Sequence, residues 1–88
     1  MQAVFDAVRK ASTPAVWSSG IALVRADAVL GESDDGGQVV VRVALKGGML
    51  SRTVTLWIED GDWECSCGAR TACEHAAAAV IALKRARE

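Results

Sequence analysis

Apolar residues recur at helical spacing near the start of the chain, at Val4, Phe5, Val8 and Ala11. That spacing predicts a short amphipathic helix over Gln2–Ala11, anchored by Phe5. Ser12-Thr13-Pro14 breaks it and opens a second helix, with Thr13 as N-cap and Pro14 at the first position. Ala15, Val16 and Trp17 follow. The second helix can close at Gly20 or run on towards Val24, and the pattern leaves both endings open.

From Asp27 the period changes. Asp27-Ala28-Val29-Leu30 reads as a weak strand and Asp34-Asp35-Gly36-Gly37 as a turn. Val39 to Leu45 is a β-branched run suited to a pleated surface, Gly47-Gly48 marks a hairpin tip, and Thr53 to Ile58 is the return strand. Alternation puts Val39, Val41, Val43 and Leu45 on one face, to meet Val54, Leu56 and Ile58 over the core. Val40, Arg42, Lys46, Thr53, Thr55 and Trp57 point the other way. Asp60-Gly61 is a further turn, after which Trp63 leads into a cysteine-rich segment.

The last stretch, Glu74 to Arg87, reads as a helix. Ala76 to Ala79 are strong helix formers, Val80 and Leu83 extend one stripe, and Lys84, Arg85 and Arg87 suit the negative end of the helix dipole. A run of alanines lets a helix approach the sheet closely. The expected fold class is α+β: a small module with an antiparallel sheet of about three or four strands, N-terminal helices and a C-terminal helix.

Eighty-eight residues give room for one domain, 1–88. Its expected parts are a helical leader 1–25, a strand region 27–63 and a cysteine-rich segment with its helix 64–88. At this size a core gains from a staple, either disulfides or a metal. The apolar share of 51% excludes a disordered chain. No apolar run reaches the roughly 18 residues of a membrane span, and Met1 to Asp6 lacks the features of a secretory leader. A reducing, cytoplasmic setting is expected, in which thiols stay free for metal. The net charge of −1 does not point to a nucleic-acid binder, though patches matter more than totals.

All three cysteines and the single histidine fall between Cys65 and His75, as Cys-x-Cys, five residues, Cys-x-His. Three thiolates and an imidazole make a closed tetrahedral set of the structural kind, and a sulfur-rich site selects Zn2+ over hard cations. Cys65, Cys67, Cys73 and His75 are therefore the expected metal ligands. Residues two apart on a strand share a face, so Cys65 and Cys67 can both reach one ion from a strand end. Thr71 to Glu74 reads as a capping box, yet that would put Cys73 and His75 two apart within one helix, where they diverge. The helix proper is expected to start near Glu74, with Cys73 in the preceding turn. A disulfide would leave one cysteine over, and a catalytic Cys–His pair would leave two thiols unexplained.

Trp63-Glu64-Cys65-Ser66-Cys67 and Cys73-Glu74-His75-Ala76-Ala77-Ala78, placed after a strand and before a helix, resemble the SWIM zinc finger, from about Val39 to Leu83. The resemblance implies a zinc-stabilised ββα module that binds protein or DNA, with zinc on Cys65, Cys67, Cys73 and His75. It also implies an accessory role, as in bacterial Swi/Snf-type helicases. Gly68 and Glu74 stand where the family often has proline and lysine, and Glu74 removes a cation from beside the metal.

Trp17 and Trp63 read as core filling. Trp57 can pack under the N-terminal helix or, with Arg42 and Lys46, form a patch that stacks bases or grips a protein. Arg9 and Lys10, the cluster at Lys84, Arg85 and Arg87, and the acidic Glu32, Asp34 and Asp35 read as solvated faces, although the last helix end also offers cations to DNA. The leading expectation is a non-catalytic zinc-binding module whose partner is a protein or the remainder of a longer chain. It would have no membrane role and no small-molecule substrate. A DNA-binding finger, with weak and salt-sensitive binding, ranks second. A thiol redox or metal-sensing protein ranks third.

Overall fold

In the computed structural model, which describes residues 2–45, 50–69 and 71–87, the first break falls at Ser12-Thr13. Helix α1 (Gln2–Ala11) precedes it and α2 (Pro14–Arg25) follows. Thr13 Oγ1 accepts from the Val16 amide at 3.2 Å, and Pro14 fills the first position, as the cap pattern predicts. Helix α2 does not stop at Gly20. It ends where the Asp27 amide donates to Val24 and the Ala28 amide to Leu23, with Asp27 left-handed at φ 56°. This is a Schellman closure with aspartate in the place glycine usually holds.

That closure corrects the first strand. Asp27 and Ala28 belong to the helix cap, and β1 runs over Val29–Asp34. Asp34 is thus in the strand, and the turn follows it, with Gly36 at φ 82° and its amide on Asp34 Oδ1. Strands β2 (Gln38–Ala44), β3 (Ser51–Trp57) and β4 (Asp62–Cys65) complete an antiparallel sheet in the order β1-β2-β3-β4. The glycines at 47 and 48, with Lys46 and Met49, lie outside the described residues. Helix α3 spans Glu74–Arg87.

The face assignment holds. Val39, Val41, Val43, Val54, Leu56 and Ile58 are buried with Val4, Phe5 and Val8 of α1 and with Ala76, Ala78, Ala79, Val80 and Ile81 of α3. The helices therefore cover one face of the sheet. The alanine run does more than approach the sheet: Ala77 faces α2. A Cβ on Gly20 would stand 2.6 Å from Ala77 Cβ and 2.9 Å from the Ala78 nitrogen. The α2–α3 contact is so close that only glycine fits there.

Among the described residues, no helix covers the opposite face. Register places Leu30 beside Arg42, Arg42 beside Thr53, Val40 beside Thr55, and Trp57 between Gln38 and Asp62. Trp57 thus does not pack under α1, which lies across the sheet, because strand parity turns its ring away from Leu56 and Ile58. The expected patch also divides. Arg42 and Trp57 sit four residues apart along the ladder, about 13 Å at roughly 3.4 Å per residue.

The basic clusters are less free than their pattern predicts. Arg9 lies 5.3 Å from the Trp17 ring centroid and Lys84 4.2 Å from that of Phe5. Arg87 pairs with Asp34 at 3.0 Å. Trp17 meets Phe5 edge to face at 5.5 Å, and both Trp17 and Trp63 pack against the core as expected. Among the described residues, no helix is long and apolar enough to cross a membrane.

Candidate metal centre

The end of β4 and the start of α3 build the site between them. Cys65 pairs with Val54, and because Val54 is buried its partner faces the helices too. The chain then turns: Gly68 adopts φ 77° and its amide donates to the Cys65 carbonyl at 3.2 Å. Cys67 lies in this turn, two residues past the strand end rather than on the strand. The turn carries its thiol back to the same side.

Cys73 resolves the conflict over the helix start. It precedes Glu74, the first residue of α3, so it takes the N-cap place rather than Thr71. Its carbonyl accepts from the Ala77 amide at 3.0 Å, and its Sγ accepts from the Ala76 amide at 3.4 Å. The thiol does the work of a capping hydroxyl, and a helix N-terminus favours its thiolate. His75, in the first turn, directs Nδ1 to within 3.8 Å of Cys65 Sγ. Its Nε2 lies 3.8 Å from the Glu74 carboxylate. This contact is electrostatic rather than a hydrogen bond, and it orients the ring with Nδ1 towards the thiols.

The structure thus brings together all four residues singled out in the sequence. Their ligand atoms lie within 4.8 Å of one another. Tetrahedral zinc, with bonds of about 2.3 Å to sulfur and about 2.0–2.1 Å to nitrogen, spaces its ligand atoms about 3.5–3.8 Å apart. The donor set and its spacing fit that ion with small adjustments. Four protein ligands would close the coordination sphere.

Electrostatics divides the thiols. Burial pushes the Cys65 thiol up to about 12, with help from its thiol neighbours. Burial also raises Cys73, against the pull of the Ala76 amide. At Cys67 burial acts upwards as well, but the Ala69 amide, the other two thiols and the charge of Arg52 together hold it below its ordinary value. Burial lowers His75, Glu74 opposes this, and Arg52 adds to it. Metal-free protein at neutral pH therefore keeps protons on Cys65 and Cys73 that a metal must displace. Metal binding releases them, so zinc affinity is expected to rise with pH between about 6 and 8. Calorimetric titration in buffers of different ionisation heats measures the release, and an affinity independent of pH would contradict it.

Sequence reasoning overlooked Arg52. The signal was there: counting back by two from Leu56 and Val54 places it on the inward face, at the metal end of β3.

A family model described as SWIM zinc finger matches residues 41–84, half of the 88-residue chain. Comparison with curated proteins and with solved structures gives no match. The matched span contains the second half of β2, all of β3 and β4, the cysteine turn and most of α3. Family and donor set agree on Zn2+ as the cofactor.

Proposed function

The chain belongs to the SWIM zinc finger family, and from that premise we propose that it is a non-catalytic, zinc-stabilised module that makes protein–protein contacts. Its zinc ligands are Cys65, Cys67, Cys73 and His75. With every position filled by protein, the ion holds the β4–α3 corner together and activates no water. Residues 1–88 act as one domain, an accessory to a larger nucleic-acid-processing protein in the reducing cytoplasm.

The observation behind this reading is the helix-free face of the sheet. Leu30 is 56% exposed there, and Val40 and Trp57 are half-buried. A tryptophan with Val40 and Thr55 on its face and Gln38 and Asp62 at its sides is an aromatic anchor with a polar rim, the composition of a protein contact. Charge speaks against nucleic acid at the same spot. Asp62 lies directly across from Trp57 and Glu64 across from Thr55, so a phosphate brought to the ring meets carboxylates. The family's usual cation between the last two ligands is glutamate here, and Arg42 is four residues along the ladder from Trp57 with its Nε on Ser51 at 3.3 Å.

Titration of the chain against single- and double-stranded DNA at two salt concentrations is expected to show binding no tighter than about 10⁻⁴ to 10⁻⁶ M, falling with salt. Peptides selected against the protein from a displayed library are expected to lose binding on Trp57→Ala, with zinc content and folding unchanged. Tight, salt-resistant DNA binding that disappears in the same variant would replace this reading with a nucleic-acid module.

A further inference from the structure

Among the described residues, Arg52 lies at the metal end of β3. Antiparallel pairing of β3 with β4 runs Leu56 with Trp63 and Val54 with Cys65. It continues past the strand end through Ser66, whose amide donates to the Thr53 carbonyl at 2.9 Å and whose Oγ accepts from the Thr53 amide at 2.9 Å. The next residue back along β3 is Arg52, and the next one on in the turn is Cys67. Across the other ladder Arg52 pairs with fully buried Val43, so its side chain leaves the strand on the inward side, where the thiols are.

The guanidinium nitrogen Nε of Arg52 is buried and has no hydrogen-bond partner. A buried donor without an acceptor is destabilising, so its presence calls for an acceptor that forms in another state of the protein. Zinc loading supplies one. Three thiolates and a neutral imidazole around a dication leave an excess charge of about −1, spread over the sulfurs. Glu74 adds a second negative charge beside His75.

We propose that Arg52 is the outer-shell partner of the zinc site, with its guanidinium donating to the Cys67 thiolate and offsetting the excess negative charge of the cluster. The assignment rests on the zinc reading above. The arrangement gives a member with glutamate at position 74 a cation from β3 in place of one between the last two ligands. Arg52 is a positioning residue. It lowers the electron density on the sulfur it faces, which tightens the site and shields that thiolate from electrophiles.

The test compares wild type with Arg52→Met, which keeps the apolar stem without charge or donor, and Arg52→Lys, which keeps the charge. Zinc affinity is measured by competition with a chelator. The alkylation rate of zinc-loaded protein by iodoacetamide is measured with mapping of the modified cysteine. Arg52→Met is expected to bind zinc about 10–100-fold more weakly and to be alkylated faster at Cys67, with Arg52→Lys between it and wild type. In cobalt-loaded protein the thiolate-to-metal charge-transfer band is expected to move to lower energy in Arg52→Met. Wild-type affinity, alkylation rate and band position in Arg52→Met would overturn the assignment. So would an Arg52→Met that fails to fold together with an Arg52→Lys indistinguishable from it. Failure of wild type to bind one zinc, or retention of zinc by Cys67→Ser, would instead overturn the zinc reading.

Discussion

Cys73→Ala is expected to abolish tight zinc binding and the cooperative thermal transition together. Structural zinc contributes an apparent ~10–16 kcal/mol in small finger peptides, which is comparable to the whole stability of a small domain. Losing one of four ligands leaves a buried, half-formed site whose remaining thiols gain nothing in return. Cys73 also caps α3, since its sulfur accepts from the Ala76 amide. Cys73→Ser separates the two roles. Its hydroxyl can still cap, but a neutral oxygen is a poor replacement for a thiolate on zinc. Both variants are expected to lose zinc, with metal-free Cys73→Ser keeping more helix than Cys73→Ala because the cap survives. Zinc analysis and circular dichroism melting with and without chelator check this. A zinc-free sample that melts as the loaded one does would remove the metal from the stability account.

Gly20→Ala should lower the melting temperature although it improves helix propensity. Replacing glycine by alanine inside a helix ordinarily stabilises by about 0.5–1 kcal/mol. Here the added methyl would stand 2.6 Å from Ala77 Cβ and 2.9 Å from the Ala78 backbone nitrogen. Neither is the end of a flexible side chain, so α2 and α3 must move apart. Overpacking of this kind costs about 1–3 kcal/mol, and more where the backbone itself must yield. We expect a net loss of about 1–2 kcal/mol, a fall of roughly 5–15 °C for a domain of this length. Zinc stoichiometry should stay at one, because the ligands lie elsewhere. A rise in melting temperature would mean that α2 can leave its seat on the alanine run without penalty.

The ligand set was legible because it is local. Cys65, Cys67, Cys73 and His75 fall within eleven residues, and the chemistry of thiolate and imidazole leaves few alternatives for such a group. The core strands were legible for a related reason: Val39, Val41 and Val43 against Val54 and Leu56 follow a period of two that survives any tertiary context. The first strand was misplaced because Asp27 looks like the start of a polar–apolar alternation. Its backbone conformation is set instead by the closure of α2, which depends on where that helix ends.

The sequence by itself determined the family's metal, the cluster of candidate donors, the identity of the buried faces and the start of α3, since each depends on residue type at short separation. Tertiary structure decided the rest. Which face of the sheet stays bare, and hence that Trp57 stands beside Asp62 rather than beneath α1, depends on where three helices dock. That Gly20 serves a helix crossing rather than a helix end depends on a residue 57 positions away, Ala77. Arg52 becomes a neighbour of Cys67 only through pairing across the β3–β4 turn. Spacing along a chain fixes which side chains share a face. Only the packed fold fixes what that face meets, because contacts between distant segments are chosen by shape and charge across the whole core.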